Sequence, residues 1–170
     1  MSKLLDQPEY LHVLVNPVMT HVLPIAAMGL LLALLARGTV AAKLFLLLVL
    51  FGAAAVWPTI HYGEQGYDRV RSMADSSGGD WLDVHRYRAE KSAPIFYATA
   101  AVALAALVAG WKWPERFMPL GWLALIVALA ACAAAIRIAY PAGKIRHREF
   151  RHGPPPPAEL QAAHADAGED

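Results

Sequence analysis

Thiols and charges are both scarce in this sequence. The 170 residues include one cysteine, Cys132, so thiols alone cannot build a disulfide framework, an iron–sulfur centre or a zinc knuckle. Charged residues make up 17% of the chain, whereas a soluble globular domain has about 25%. The formal net charge is +1, and no basic cluster is interleaved with stacking aromatic residues. We therefore expect no disulfide-stabilised fold and no nucleic-acid partner.

The usual motifs of haem attachment are absent as well. No apolar segment contains two histidines spaced to hold a pair of stacked haems, and there is no Cys-x-x-Cys-His for covalent attachment. Any bound cofactor would need ligands from separate segments of the chain. No nucleophile with an adjacent base is visible either, so the sequence does not predict enzymatic activity of the chain on its own.

Long apolar segments dominate what is present. Four of them stand out, at residues 18–36, 41–60, 93–111 and 117–136. Each approaches the length of about 20 residues that crosses the hydrocarbon core of a bilayer as a helix. In lipid the backbone must satisfy its own hydrogen bonds, which helices do within one segment. The sequence therefore predicts an all-α integral membrane bundle of four transmembrane helices within residues 1–150, with the lipid bilayer as its first partner.

The segments between and after these spans differ in length and composition. The connections 37–40 and 112–116 are short, which predicts antiparallel helix hairpins. The connection 61–92 is long and polar, and its Ser- and Gly-rich centre, 74–80, is typical of a loop. Residues 151–170 contain four consecutive prolines and little apolar surface, so we predict a disordered Pro-rich tail.

Four spans place both termini and the 61–92 connection on one side of the membrane, the loop side. All but four of the 15 lysines and arginines belong to that side, the exceptions being Arg37, Lys43, Lys112 and Arg116. Because cytoplasmic segments carry the excess of basic residues, the distribution predicts cytoplasmic termini.

Histidines gather near the loop side and mark the candidate site. His21 lies just inside the first apolar segment, where a titratable side chain is costly and indicates a function by default. Pro24 leaves the carbonyl of Thr20 without its helical donor beside it. His61 ends the second segment, and His85 lies on the approach to the third. Neutral imidazole is a common ligand of haem and of transition metals.

These positions predict a haem b or metal site between helices. We expect His21 as one axial ligand of haem b, with His85 as the preferred second ligand and His61 in reserve. Cations and a phenol near the bundle mouth would contact the haem propionates, namely Arg88, Arg137 and Tyr140. For a metal alone, His21 and His85 are the expected ligands. The predicted function is a small membrane subunit that takes part in electron transfer, in contact with other membrane redox proteins or with further copies of itself.

Two other functions fit the same pattern. The chain would be a structural or assembly subunit without a cofactor if its histidines only form hydrogen bonds. It would be a small proton-linked transporter or sensor if His21 works with Glu64 or Asp68 across the loop-side boundary.

Short motifs in the spans resemble a bacterial family of four-helix membrane proteins known as domain of unknown function 2231. The resemblance covers most of residues 10–150 and implies a bacterial inner-membrane location and a possible redox setting, without supplying a catalytic residue. The motifs that carry it are Asn16-Pro17 with His21-Val22-Leu23-Pro24-Ile25-Ala26, Gly52-Ala53-Ala54-Ala55 with His61 and Gly66-Tyr67-Asp68, His85-Arg86 with Ala89, and Tyr140-Pro141-Ala142-Gly143.

Overall fold

The structure is a computed structural model that describes residues 5–166, and over that range it contains helices and no strand. Four helices are long and apolar enough to cross a membrane: Pro8–Leu35, Thr39–Met73, Ser76–Lys112 and Pro114–Arg146. Over the described residues, the prediction of an all-α chain with four helices long and apolar enough to cross a membrane is confirmed. These four apolar helices indicate a multi-pass membrane protein.

Prolines divide the first two long helices into segments. The first contains α1 (Pro8–Pro17), a π-helical turn (Val18–Val22) and α2 (Leu23–Leu35). Pro17 and Pro24 flank the π-helical turn and lack the N–H groups that an α-helix would use there. The second long helix consists of α3 (Thr39–Ala54) and α4 (Val56–Met73), which meet at Ala55.

The third and fourth long helices are continuous. They are α5 (Ser76–Lys112) and α6 (Pro114–Arg146), and they pack side by side. Asp75 caps α5, because its carboxylate accepts a hydrogen bond of 2.7 Å from the backbone N–H of Gly78. A short 3₁₀ turn, Arg148–Phe150, and α7 (Pro157–Asp166) follow.

The 61–92 connection differs from the predicted polar loop. It is helical on both sides of a break at residues 74–75, because α4 and α5 simply continue beyond the apolar spans. A helix of 35 residues such as Thr39–Met73 is about 52 Å long, against a hydrocarbon core of about 30 Å. Its polar residues are therefore those of helix ends outside the lipid, and composition alone does not distinguish such ends from a loop.

The C-terminal segment also differs from the predicted disordered tail. Residues 157–166 form α7, which packs on α5, whereas residues 167–170 lie outside the described part of the chain. Pro157 occupies the first turn, where proline is tolerated because its missing N–H would have no helical partner. The apolar residues of this segment are small apart from Leu160, so it has little apolar surface to bury, but its charged side chains bind partners on α5 and α6.

Small residues are abundant in the core between the spans beside buried large residues such as Phe96 and Leu30, and many other large apolar residues face outward. The fully or almost fully buried positions include Ala26, Ala53, Ala103, Ala106, Ala124, Ala128 and Ala131. The backbones approach so closely at Gly52 that a Cβ atom there would lie 3.1 Å from the Cα atom of Leu23. Lipid provides no hydrophobic drive for helix association, so close packing of this kind must stabilise the bundle.

Candidate functional site

A cavity of about 540 Å³ lies at the loop-side end of the bundle. Its walls come from α1, the π-helical turn, α4, the first turns of α5 and the last turns of α6. This volume falls in the range of small-molecule and cofactor sites, about 300–1,000 Å³. Most of its lining residues lie in the parts of the helices that extend beyond the apolar spans, so the helical course of 61–92 contributes much of its wall.

Two glycines let α1 lie against α4 beside this cavity. A Cβ atom on Gly63 would be 3.0 Å from Nδ1 of His12, and one on Gly66 would be 3.0 Å from the backbone N and Cα atoms of Glu9. Neither position has room for a larger residue without movement of α1. The spacing of the glycines, three residues apart, places both on the same face of α4.

His12 is the first of two histidines that this packing orients. Its Nδ1 atom lies 2.8 Å from the backbone carbonyl oxygen of Thr59, which can only accept a hydrogen bond. Nδ1 therefore carries the proton, and in the neutral ring Nε2 keeps its lone pair. His12 lines the cavity, although the prediction of ligands had not included it.

His85 is the second, and it is held in the same way. Its Nδ1 atom donates to the carbonyl oxygen of Ile138 on α6 at 2.9 Å, which again leaves the lone pair on Nε2. The ring centres of His12 and His85 are 6.4 Å apart, with an angle of 89° between the ring planes. The predicted ligand His85 thus lies in the cavity, and its nearest imidazole neighbour is His12.

His21 also lines the cavity, on the π-helical turn. Its side chain is exposed, and its Nδ1 atom is 2.9 Å from the hydroxyl oxygen of Thr20. That hydroxyl donates its own proton to the carbonyl of Asn16 at 3.0 Å, so His21 is the donor to Thr20. The structure therefore brings His21 and His85 to one cavity, as predicted, but it adds His12 as the histidine next to His85.

His61 lies elsewhere. Its ring stacks on Trp57 with the ring centres 5.4 Å apart, its Nε2 atom is 3.1 Å from the side-chain amide of Gln65, and it does not line the cavity. In α4 the face that meets α1 carries Thr59, Gly63 and Gly66, so the helical period directs position 61 to a different face. The expected reserve role of His61 has no support from this arrangement.

The three residues expected near the propionates also lie outside the cavity walls. Arg88 and Arg137 both bind the carboxylate of Glu159 on α7, at 2.7 and 2.8 Å. Tyr140 is exposed and accepts a hydrogen bond of 2.8 Å from the ammonium group of Lys144. The cations that do line the cavity are Arg86 and Arg146.

Both carboxylates and cations lie around the cavity. Arg86 pairs with Glu90 at 2.7 Å, one turn apart on α5, and Glu9 pairs with Arg69 at 2.6 Å. Glu64 also lines the cavity. The remaining walls are apolar and include Val13, Ile60, Leu82 and Ala89, with Tyr62 and Tyr67 among them. The site combines apolar walls with a small number of oriented polar groups, as cofactor pockets do.

The ligand set restricts which metal centre fits. Among residues 5–166 no group of three or more His, Cys, Asp and Glu side chains is placed to hold a metal ion. A tetrahedral zinc site takes three or four ligands from the protein. Two imidazoles on opposite sides of one metal have ring centres about 6 Å apart, because the metal–nitrogen bond is about 2.0 Å and the ring adds about 1 Å on each side. The separation of His12 and His85 agrees with that distance.

The sequence did contain a signal for the missed residues. Glu9 and His12 are three positions apart in Pro8-Glu9-Tyr10-Leu11-His12, a Glu-x-x-His spacing that puts both side chains on one helix face. Both line the cavity. This part of the chain precedes the apolar span, but it belongs to the same long helix, which begins at Pro8 and brings His12 into the cavity that His85 also lines.

Comparisons with known proteins do not add to this geometry. The chain matches no protein-family model, no curated protein and no solved structure. The resemblance to the domain of unknown function 2231 family therefore stays a prediction, and what the protein does has to be argued from its own cavity.

Proposed function

We propose that the protein is a membrane subunit that binds haem b, or a single transition-metal ion, between His12 and His85, and that it takes part in electron transfer. One observation carries the proposal. Two imidazoles from separate helices lie in one cavity with their ring centres 6.4 Å apart, and each ring is held through Nδ1 by a backbone carbonyl of a neighbouring helix.

The hydrogen bonds at Nδ1 are the property that makes these rings suitable ligands. A histidine that binds a metal through one nitrogen nearly always donates the other N–H to a carboxylate or a carbonyl, which fixes the tautomer and the ring orientation. Thr59 and Ile138 provide those carbonyls here. The arrangement keeps Nε2 unprotonated in both neutral rings, and Nε2 is then the ligand atom.

The composition of the walls favours haem over a bare ion. Haem brings four of its own nitrogen ligands and needs only one or two further ligands from the protein, and His12 and His85 would provide two. Arg86 and Arg146 can pair with the propionates, and the apolar residues suit the macrocycle. Because the protein would occupy both axial positions, no open position remains for a substrate. A centre without an open position for a substrate is suited to electron transfer.

The first test is an optical spectrum. Protein purified from cells supplied with haem precursor is expected to show a Soret band, and its reduction with dithionite is expected to sharpen an α-band. Metal analysis of the same sample distinguishes haem iron from a bare transition metal. A preparation that contains neither, after expression with ample haem and metals, contradicts the proposal and favours the structural or assembly subunit.

We further propose that the protein lies in a bacterial inner membrane with the cavity end and both termini in the cytoplasm. The distribution of lysine and arginine between the two ends supports this orientation. In a Cys132→Ala background, a membrane-impermeant maleimide added to spheroplasts is expected to label Glu115→Cys but not His152→Cys. Both should be labelled after the membrane is opened. The reverse pattern would place the cavity on the periplasmic side.

A further inference from the structure

The C-terminal helix α7 is fastened to the bundle almost entirely by charged groups. Glu159 binds Arg88 and Arg137, Asp166 binds Lys91 at 2.8 Å, and His164 lies 3.2 Å from Asp83. Ala163 is the one buried residue of this helix. Apolar burial therefore contributes little to its docking, and ion pairs must provide most of it.

The guanidinium group of Arg88 is held in place by the backbone of α6. The Arg88 side chain is only 9% exposed, and its Nη1 atom donates at 2.9 Å to the carbonyl oxygen of Arg137. Pro141 lacks the N–H that would normally bind that carbonyl in α6. The guanidinium is thus fixed by the backbone before it meets any anion.

Arg88 and Arg137 each bind a different oxygen of the Glu159 carboxylate. Nε of Arg88 donates to one oxygen of Glu159 at 2.7 Å, and Nη2 of Arg137 donates to the other oxygen at 2.8 Å. Burial opposes ionisation of Glu159, but the hydrogen bonds from Arg137 and Arg88 outweigh it and lower the pKa of this carboxyl group. Charge-assisted bonds of this kind suit both carboxylates and phosphates.

The position of the pair matches that of lipid headgroups. Arg137 directly follows the fourth apolar segment, 117–136, and Arg88 shortly precedes the third, 93–111. The level of these residues along the bundle is therefore that of the water boundary, where phosphate groups of lipids are abundant. A free anion in solution can also reach side chains at this water boundary.

We propose that Arg88 and Arg137 are a binding site for a phosphate or carboxylate group, that Glu159 occupies it as a ligand from the same chain, and that α7 is a cover which such an anion displaces. The proposal goes beyond electron transfer and holds whether or not the cavity binds haem.

The segment that precedes α7 is arranged for such an exchange. Arg151 is anchored on its own, through hydrogen bonds to the carbonyls of Lys144 and Ile145 and an ion pair of 2.7 Å with Asp75. The prolines 154–157 follow it and form a stiff spacer. Loss of the Glu159 contacts can therefore release α7 while residues up to Arg151 stay in place.

The helix α7 lies over residues that also line the large cavity. A second, smaller cavity of about 230 Å³ lies under α7 and is lined by His164 and Asp166 together with Tyr67, Arg86 and Glu90. The last three residues also line the large cavity. Displacement of α7 therefore exposes the outer side of the wall that carries Arg86, one of the two cations proposed to face a haem propionate.

Hydrogen–deuterium exchange of the backbone amides in 158–166 measures the displacement in the purified full-length protein. At about 0.05 M salt these amides should be protected, and Glu159→Gln should accelerate their exchange about tenfold or more. Glu149→Gln is the matched control, because Glu149 is exposed and pairs only with His147 in the same turn. That variant should leave exchange in 158–166 unchanged.

The nature of the anion is resolved by three additions to the wild-type protein. Inorganic phosphate in detergent, vesicles of phosphatidylcholine and vesicles that also contain phosphatidylglycerol are compared at equal ionic strength. Faster exchange with phosphate alone indicates a soluble anion, and faster exchange only with phosphatidylglycerol indicates a lipid headgroup. Arg137→Gln, which alters the exposed member of the pair, should abolish either response. An unprotected α7 in the wild type, or protection that neither Glu159→Gln nor any anion reduces, would overturn the proposal.

Discussion

Loss of the sharp low-spin α-band is the expected result of replacing either His12 or His85 by alanine. In the proposed site each residue would supply one of the two ligand atoms, so removal of one would leave the haem with a single protein ligand and removal of both would leave it with none. We expect the single variants to lose most of the bound haem or to shift to a high-spin spectrum, and the double variant to bind no haem. Quantification of haem per protein by the pyridine haemochrome method measures the outcome.

Asparagine variants separate ligation from hydrogen bonding. In His12→Asn and His85→Asn the side-chain amide can still donate to the carbonyls of Thr59 and Ile138, but it offers no imidazole nitrogen to a metal. A loss of haem in these variants therefore reports on ligation rather than on the contact between helices. Added imidazole should restore a low-spin spectrum in the alanine variants by filling the space left by the ring.

His21→Ala and His61→Ala are the matched controls for the same experiment. His61 does not line the cavity, and its variant should keep the wild-type spectrum. His21 lines the cavity but hydrogen-bonds to Thr20 on its own turn, and its variant should keep both bands with little change. If His21→Ala lost the haem while His12→Ala kept it, the ligand pair expected from sequence, His21 with His85, would be correct instead.

The difference between these two ligand pairs shows what the sequence could predict. Apolar length fixed the four spans, because a helix that crosses lipid needs a continuous apolar run. The same criterion began the first span at Val18, whereas the helix begins at Pro8, and so His12 was not among the predicted ligands. Where a helix leaves the lipid its length is decided by tertiary contacts, here those of α1 with α4, and hydropathy does not report them.

The sequence predicted the kind of group that the loop-side arginines bind, but not the residue that provides it. Arg88 and Arg137 were expected to bind a carboxylate, and in the structure they do, but the carboxylate belongs to Glu159. The tail was expected to be disordered because it cannot bury apolar surface, and α7 indeed buries almost none. Its ion pairs join residues that are 22 to 81 positions apart in sequence, and a local pattern cannot reveal such pairs.

Gly66→Val is expected to destabilise the protein and to weaken the cofactor site together. The new side chain would meet the backbone of Glu9 at a distance of 3.0 Å for its first carbon alone, and a backbone cannot rotate away as a side chain can. Overpacking of this kind costs about 1–3 kcal/mol. Because α1 must then move off α4, His12 should lose its contact with Thr59, and haem should bind more weakly even though no ligand was replaced.

Gly143→Val provides the matched control on α6. A Cβ atom there would meet only the Phe150 ring, at an ordinary 3.9 Å, so the variant has the same change in helix propensity without the clash. Thermal unfolding in detergent, followed by circular dichroism, should show a large fall in midpoint for Gly66→Val and a small change for Gly143→Val. Gly63→Ala should fall between them in stability but should lower haem affinity, since its methyl group would contact His12 directly. Equal stability and haem content in all three variants would mean that α1 does not lie against α4, and the cavity as described would then lack one wall.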